Sequence, residues 1–397
     1  MTIDSSSPSI RIPFNKPCFA GNEVAYMAAA VANGHISGDG PFTRKASEML
    51  EAALGVPKVL LTTSGTHALE LAALLLRIEP GDEVIVPSFT FVSTVNAFTL
   101  RGARPIFVDI RPDTLNLDEG AIARKVTRRT RAIVPVHYAG VGCEMDAIMD
   151  VAAHHGVAVV EDNAHGLFAR FRGRYLGTFG RLAIQSFHET KNFMCGEGGA
   201  LLINTPELIE RAEVLREKGT NRSRFFRGEV DRYTWVDVGS SYLPSDILAA
   251  MLCAQLEARA RIQAGRQRVW EAYAAGLGPW AEERGVGLPV VPDHCEQPYQ
   301  MFYLLMPSLD DRQSLLAHLR ARGIVAVFHY VPLHLSEMGA RFGAGPGDCP
   351  VTERVSDCLV RLPFFNDLDG ADQDAVVSAV RSWTPPNPRS PRHPRHR

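Results

Sequence analysis

Between residues 58 and 204, short apolar runs alternate with longer stretches of helical period. The runs are 58–63 (KVLLTT), 83–87 (EVIVP), 105–109 (PIFVD), 132–137 (AIVPVH), 157–161 (VAVVE), 182–187 (LAIQSF) and 200–204 (ALLIN). Most carry Val, Ile or Leu at successive positions, as a strand does when both its faces are buried. Residues 66–77, 91–101 and 145–155 between them read as helices. This repetition predicts an α/β domain on a mostly parallel, seven-stranded sheet. Past Ser245 the pattern changes. Residues 246–280 read as one long helix or a bent pair, 302–306 and 325–330 as strands, and 311–322 and 372–383 as helices. The expected organisation is a large domain over 1–257 and a small C-terminal α+β domain over 258–384. The Pro- and Arg-rich end, 385–397 (PPNPRSPRHPRHR), is expected to be a disordered tail.

Composition narrows the function classes. At 46% hydrophobic and 22% charged residues, the chain can bury a sizeable core. Lys plus Arg number 42 against 44 Asp plus Glu, a balance that argues against a dedicated nucleic-acid binder. The seven cysteines are scattered without a CxxC pair, so neither a disulfide scaffold nor a zinc site is suggested. Reduced thiols of a cytoplasmic enzyme are the plainest reading. Residues 1–10 (MTIDSSSPSI) have neither a basic nor an apolar signal region, and no secretory signal or membrane span is expected.

Four local features carry candidate chemistry. Asp162 follows an apolar strand, at the carboxyl end where open α/β sheets place their ligand crevice. Taken alone, an Asp there is as readily a helix cap. Lys191 follows another strand and precedes the turn Gly196-Glu197-Gly198-Gly199. A desolvated lysine loses its proton and becomes a nucleophile, although a surface loop is the commoner place for any single Lys. Ser64-Gly65-Thr66 links a strand to a helix start, whose free N–H groups can cradle phosphate. No Gly-Lys-Ser/Thr follows, so it is not a Walker sequence; Gly140 and Gly142 lack the third glycine of a dinucleotide fingerprint. Phe89 or Phe91, after a further strand, could lie against a heteroaromatic ring or belong to the core. Pyridoxal 5'-phosphate needs these four parts: an amine for its aldehyde, a carboxylate for its pyridine nitrogen, a stacking ring and a phosphate cradle.

Several longer strings reach beyond these features: PSFTFVST (87–94), SFHETKN (186–192), KGTNRSRFF (218–226), GSSYLPSD (239–246) and FHYVPLH (328–334). With them, the chain resembles the sugar-nucleotide aminotransferases of the fold-type I pyridoxal-phosphate superfamily over about residues 13–383. Within that group it is most similar to enzymes that aminate C4 of dTDP-4-keto-6-deoxy-D-glucose. The resemblance implies roles. Lys191 is the lysine that bonds the coenzyme and shuttles protons, and Asp162 partners the pyridine nitrogen. Gly65, Thr66 and Ser186 hold the phosphate, and Phe91 stacks on the ring, with Phe89 as the alternative. His165 stands near the phenolic oxygen where many relatives have Gln, and unlike Gln it could titrate. Ser241 stands where relatives often place an Asn that reaches the neighbouring subunit's phosphate, which implies a homodimer with shared active sites; Ser has the shorter reach.

The implied reaction is a two-stage transamination from L-glutamate to the 4-keto sugar, with Lys191 moving the proton in each stage. Arg222, Arg224, Phe225, Phe226 and Trp235 resemble a substrate-side loop for the nucleotide diphosphate and base. His329, Tyr330 and His334 are candidates for the sugar pocket. Three rivals stand beside this reading. One is a pyridoxal-phosphate dehydratase acting at sugar C3, whose relatives carry His in place of Lys191. The others are a non-catalytic regulator on the same scaffold and a nucleotide-binding dehydrogenase.

Overall fold

In the computed structural model, which describes residues 10–386, seven strands form one sheet. They are β1 (Lys58–Thr62), β2 (Glu83–Pro87), β3 (Arg104–Val108), β4 (Thr130–Ile133), β5 (Ala158–Asp162), β6 (Leu182–Ser186) and β7 (Gly199–Ile203). Their order is β1-β7-β6-β5-β4-β2-β3. All neighbours are parallel except β7, which runs antiparallel between β1 and β6.

The helices are α1 (Glu23–Ala32), α2 (Pro41–Leu54), α3 (Gly65–Leu75), α4 (Val92–Thr99), α5 (Met145–His155), α6 (Ile209–Arg216), α7 (Arg222–Phe226), α8 (Asp246–Glu257) and α9 (Arg259–Arg284). They explain the apolar runs. Leu60, Val84, Val86, Val160, Leu182, Ile184 and Leu201 pack on one face with α3, α4 and α6. Val59, Leu61, Ala183 and Leu202 pack on the other with α2 and α8. Ile85, Ile133 and Val159 meet α5 on that second side. Successive strand residues thus enter opposite cores, and neither face can be polar.

The predicted strand at 132–137 is shorter than expected. Pro135 has no N–H for the ladder, and pairing resumes only as the single bridge of Val136 with Asp162. The 246–280 segment is a bent pair, broken at Ala258. Asp246, at the start of α8, accepts from the N–H groups of Phe42 and Thr43 and from the Thr43 hydroxyl, and so caps α2. A Cβ at Gly40 would overlap that carboxylate, which accounts for glycine there.

A separate hydrophobic cluster joins α9 to β8 (Tyr303–Leu305), α10 (Leu309–Arg320), β9 (Leu359–Arg361) and α13 (Gly370–Arg381). Two short helices, α11 (Glu337–Arg341) and α12 (Pro350–Cys358), lie between α10 and β9. The expected strand at 325–330 does not form; only Val327 pairs, with Arg361. The Val325 N–H donates to Ile12 O, and the segment runs on to bring His329 and Tyr330 to a cavity. Residues 387–397, most of the expected tail, lie outside the described part. No helix among the described residues is long and apolar enough to cross a membrane.

Candidate active site

The ends of β1, β2, β5 and β6 open on one cavity of about 620 Å³. Its walls include Gly65, Thr66, Phe91, Asp162, His165, Ser186, Lys191, His329 and Tyr330. At the β1 end, Ser64 caps α3 by accepting the His67 N–H at 3.1 Å. The Gly65 and Thr66 N–H groups, first in the helix, have no partner among the described residues. Two glycines make this cradle. A Cβ on Gly65 would stand 3.1 Å from the Ser186 Cβ. A Cβ on Gly199 would fall among the backbone atoms of Ser64 and Gly65.

Lys191 sits in the link between β6 and β7. That link is tied across by Phe187 N–H to Gly198 O, Glu189 N–H to Gly196 O and Cys195 N–H to Phe187 O. Gly196 turns it with φ +83°. The half-buried Lys191 has its pKa brought down to about 8. Loss of hydration around the ammonium is the main cause; Asp162 opposes it and Arg361 adds to it. A substantial fraction of the amine is therefore neutral near physiological pH.

Asp162 is buried, and its carboxylate is held from two sides. Oδ1 accepts the Ala164 N–H at 3.2 Å, and Oδ2 accepts the Thr94 hydroxyl at 2.7 Å. A hydroxyl has one hydrogen, so Thr94 must accept from Thr90, 2.8 Å away. His165 is also buried. Burial, and then the Lys191 and Arg361 charges, push its pKa well below the ordinary histidine value. It stays neutral near pH 7, so its capacity to titrate is not expressed in that range. His329 is depressed for the same leading reason and stacks on Tyr330 at 3.6 Å.

The sequence profile of the DegT/DnrJ/EryC1/StrS aminotransferase family matches residues 17–381. The chain belongs to that family. An uncharacterized protein of Methanocaldococcus jannaschii is 31% identical over 378 residues, covering 93% of this chain and 97% of its own. The aminotransferase TlmJ from Streptoalloteichus hindustanus superposes with a TM-score of 0.85 at 30% identity, over 94% of this chain and 98% of that one. The PLP-form of Spr1654 from Streptococcus pneumoniae gives 0.86 at 25% identity, over 94% and 98%.

DegT/DnrJ/EryC1/StrS aminotransferases depend on pyridoxal phosphate, and the residues present fit that coenzyme. The cavity offers one amine, one buried carboxylate and a helix start with free amides. It also holds a buried polar atom, His165 Nδ1, that has no partner among the described residues. Of the two candidate stacking rings, Phe91 lines the cavity and is 58% exposed. Phe89 is 1% exposed and packs against Tyr138, His329 and Tyr330, so it belongs to the core.

Other expected site residues lie elsewhere. His334 does not reach the cavity. It is fully buried, with Nδ1 2.6 Å from the Ser88 hydroxyl and Nε2 3.1 Å from Glu353. Arg222, Phe226 and Ser241 line a second cavity of about 660 Å³ beside Glu217 and Lys218. Arg224 pairs with Glu210 and Glu229, while Phe225 and Trp235 are exposed. Within one chain, none of these residues meets Lys191. Sequence reasoning missed Thr94, Gln300, Arg266 and Arg361, which line the Lys191 cavity. Arg361 had a visible signal, as the one charge in the apolar run 358–365 (CLVRLPFF). Arg266, in an Arg-rich helix, had none.

Proposed function

We propose that the protein moves the amino group of L-glutamate to C4 of dTDP-4-keto-6-deoxy-D-glucose, giving a dTDP-4-amino-4,6-dideoxyhexose. The observation that carries this reading is the meeting of Lys191, Asp162 and the Gly65–Thr66 cradle in one cavity. Bound there, pyridoxal phosphate supplies a ring that stabilises negative charge on the carbon losing its proton. Gly65, Thr66 and Ser186 hold the phosphate, and Asp162, fixed by Thr94, holds the pyridine nitrogen protonated. Phe91 covers one face of the ring. Lys191 Nζ takes the proton from the donor's α-carbon and, in the second stage, delivers one to sugar C4. An amine with a pKa of about 8 can serve in both directions.

A homodimer with shared sites is part of the proposal. The exposed Phe226 and Trp235, and the separation of Ser241 and Arg222 from their own chain's Lys191, support a role for that segment in a second copy. The C3 dehydratase reading is disfavoured by Lys191 itself.

The test is to incubate the protein with dTDP-4-keto-6-deoxyglucose, pyridoxal phosphate and L-glutamate and to follow the sugar by NMR. A new amino sugar is expected, with a large H3–H4 coupling for a gluco product or a small one for a galacto product. Lys191→Ala should abolish turnover. Sustained turnover by that variant, or loss of the C3 oxygen in place of C4 amination, would remove the proposal.

A further inference from the structure

Outside the cavity, Ser88, His334 and Glu353 form a hydrogen-bonded chain. Ser88 follows β2, three residues before Phe91, and His334 stands four residues after Tyr330. Both Ser88 and His334 are fully buried. Hydrogen bonds from His334 and the Gly347 N–H hold the Glu353 carboxyl below the usual carboxylate range, so it is ionised and only accepts. His334 Nε2 therefore carries the ring hydrogen and donates to Glu353 Oε1 at 3.1 Å, and Nδ1 accepts the Ser88 hydroxyl at 2.6 Å. The His334 N–H donates to Ser88 Oγ at 3.1 Å, and the Leu333 N–H to Ser88 O at 3.1 Å. Serine, histidine and carboxylate in this order suggest a hydrolytic triad. This serine is sealed from solvent, however, and its oxygen already serves two partners. Its work is mechanical.

Both ends of the chain are anchored. Helix α12, which carries Glu353, starts on Asp109, the residue after β3. The Asp109 carboxylate accepts the Val351 and Thr352 N–H groups, each at 2.9 Å, and the Thr352 hydroxyl at 2.8 Å. From that fixed position α12 holds the neighbouring segment twice, through Glu353 and through Ser356, whose hydroxyl donates to Tyr330 O at 2.9 Å. At the other end Phe89, next to Ser88, packs edge-on against His329 and Tyr330. The Tyr330 hydroxyl stands 3.5 Å from His165 Nε2. Residues 329–334 are thus set between α12 and the turn that leads to Phe91.

We propose that Ser88 and His334 are positioning residues that fix the spacing of Phe91 and Tyr330 across the coenzyme pocket, a role that rests on the coenzyme site above but not on the identity of the sugar. Neither residue lines that pocket. The bond to Ser88 counts for more than the bond to Glu353. Without Glu353, α12 still holds the segment through Ser356; the Ser88 bonds tie residues 333–334 to the Phe91 turn. A misplacement on the order of 1 Å at either wall is enough to spoil a reacting geometry.

The test compares Ser88→Ala, His334→Asn and His334→Gln with the wild type. The Asn amide oxygen reaches the place of Nδ1 and can accept from Ser88, while the Gln amide nitrogen reaches the place of Nε2 and can donate to Glu353. Two quantities are read. One is backbone hydrogen exchange over residues 328–336 in the apoprotein, by mass spectrometry. The other is the visible circular-dichroism band per bound pyridoxal phosphate in the loaded protein. In Ser88→Ala and His334→Gln, exchange at Leu333 and His334 should quicken roughly 10- to 100-fold, and much of the band should be lost. His334→Asn should stay near the wild type in both, although all three variants should melt earlier. Equal behaviour of the Asn and Gln variants would overturn the proposal, because lost core volume moves both alike. So would a Ser88→Ala variant with wild-type exchange and a wild-type band, and that variant decides alone where neither His334 variant folds. In each case a loaded wild type leaves the coenzyme site standing; a wild type that takes up no coenzyme would remove both.

Discussion

Gly199 offers a sharp test of the phosphate cradle. Its Cα faces the turn from β1 into α3, and an added methyl would fall among the Ser64 and Gly65 backbone atoms. Neither side has a flexible group to give way. To restore ordinary carbon contact the turn must retreat by on the order of 1 Å. Overpacking of this kind costs about 1–3 kcal/mol of stability. The larger effect falls on the ligand. A hydrogen bond from an amide to a charged oxygen contributes about 1.5–3 kcal/mol, and a displacement on that scale takes it out of range. Displacing the Gly65 and Thr66 amides should weaken pyridoxal phosphate binding by about 2–4 kcal/mol, roughly 30- to 1,000-fold. The assay is a titration of apo Gly199→Ala with pyridoxal phosphate and with pyridoxal, which lacks the phosphate, beside the wild type. The ratio of the two affinities isolates the cradle from any general loosening. A variant that melts earlier but keeps the wild-type ratio would refute the assignment of phosphate binding to this turn.

Three further outcomes are expected. The rate at which apoenzyme captures pyridoxal phosphate should climb with pH and level off above about 8, since only the neutral Lys191 amine attacks; an inflection at the unperturbed 10.5 would contradict its desolvation. Asp162 raises the Lys191 pKa, so Asp162→Asn should move that inflection below about 8 while coenzyme binding and turnover fall steeply; normal turnover would remove Asp162 from its role. His165 is neutral and buried with a depressed pKa. The unfolded chain therefore binds its proton first as pH falls through about 6.5, and stability is lost there. His165→Gln should show a shallower decline in thermal midpoint between about pH 7 and 5, and identical profiles would contradict the depression.

Most of what the sequence discloses here is local. Runs such as VAVVE and EVIVP mark strands because both sheet faces are apolar; Asp162 and the turn at Gly65 stand at the ends of such runs, and the string SFHETKN marks Lys191. Their convergence depends on strand order, which no run displays. Long-range pairing is where the reading fails. His334 looks like a pocket residue until Ser88, 246 residues earlier, and Glu353 are seen to consume both ring nitrogens. The 325–330 run (VAVFHY) has a strand's composition, but composition does not tell whether a neighbour pairs along its length, and only Val327 forms a bridge. Thr94 is invisible as the brace of Asp162 because the two are 68 residues apart.

The reversed direction of β7 has a consequence for how such a protein can change. Because that strand returns toward β1 beside β6, Ser186, Lys191 and Gly199 belong to one hairpin. The hydroxyl, the amine and the glycine that admits the helix start are thus a single uninterrupted piece of chain. A deletion of the hairpin would remove all three at once, and a transplanted copy would carry them together. The far side of the cavity, supplied by Arg361 and Tyr330, is encoded well over a hundred residues later. Substitutions there can therefore reshape that wall of the cavity without disturbing the hairpin.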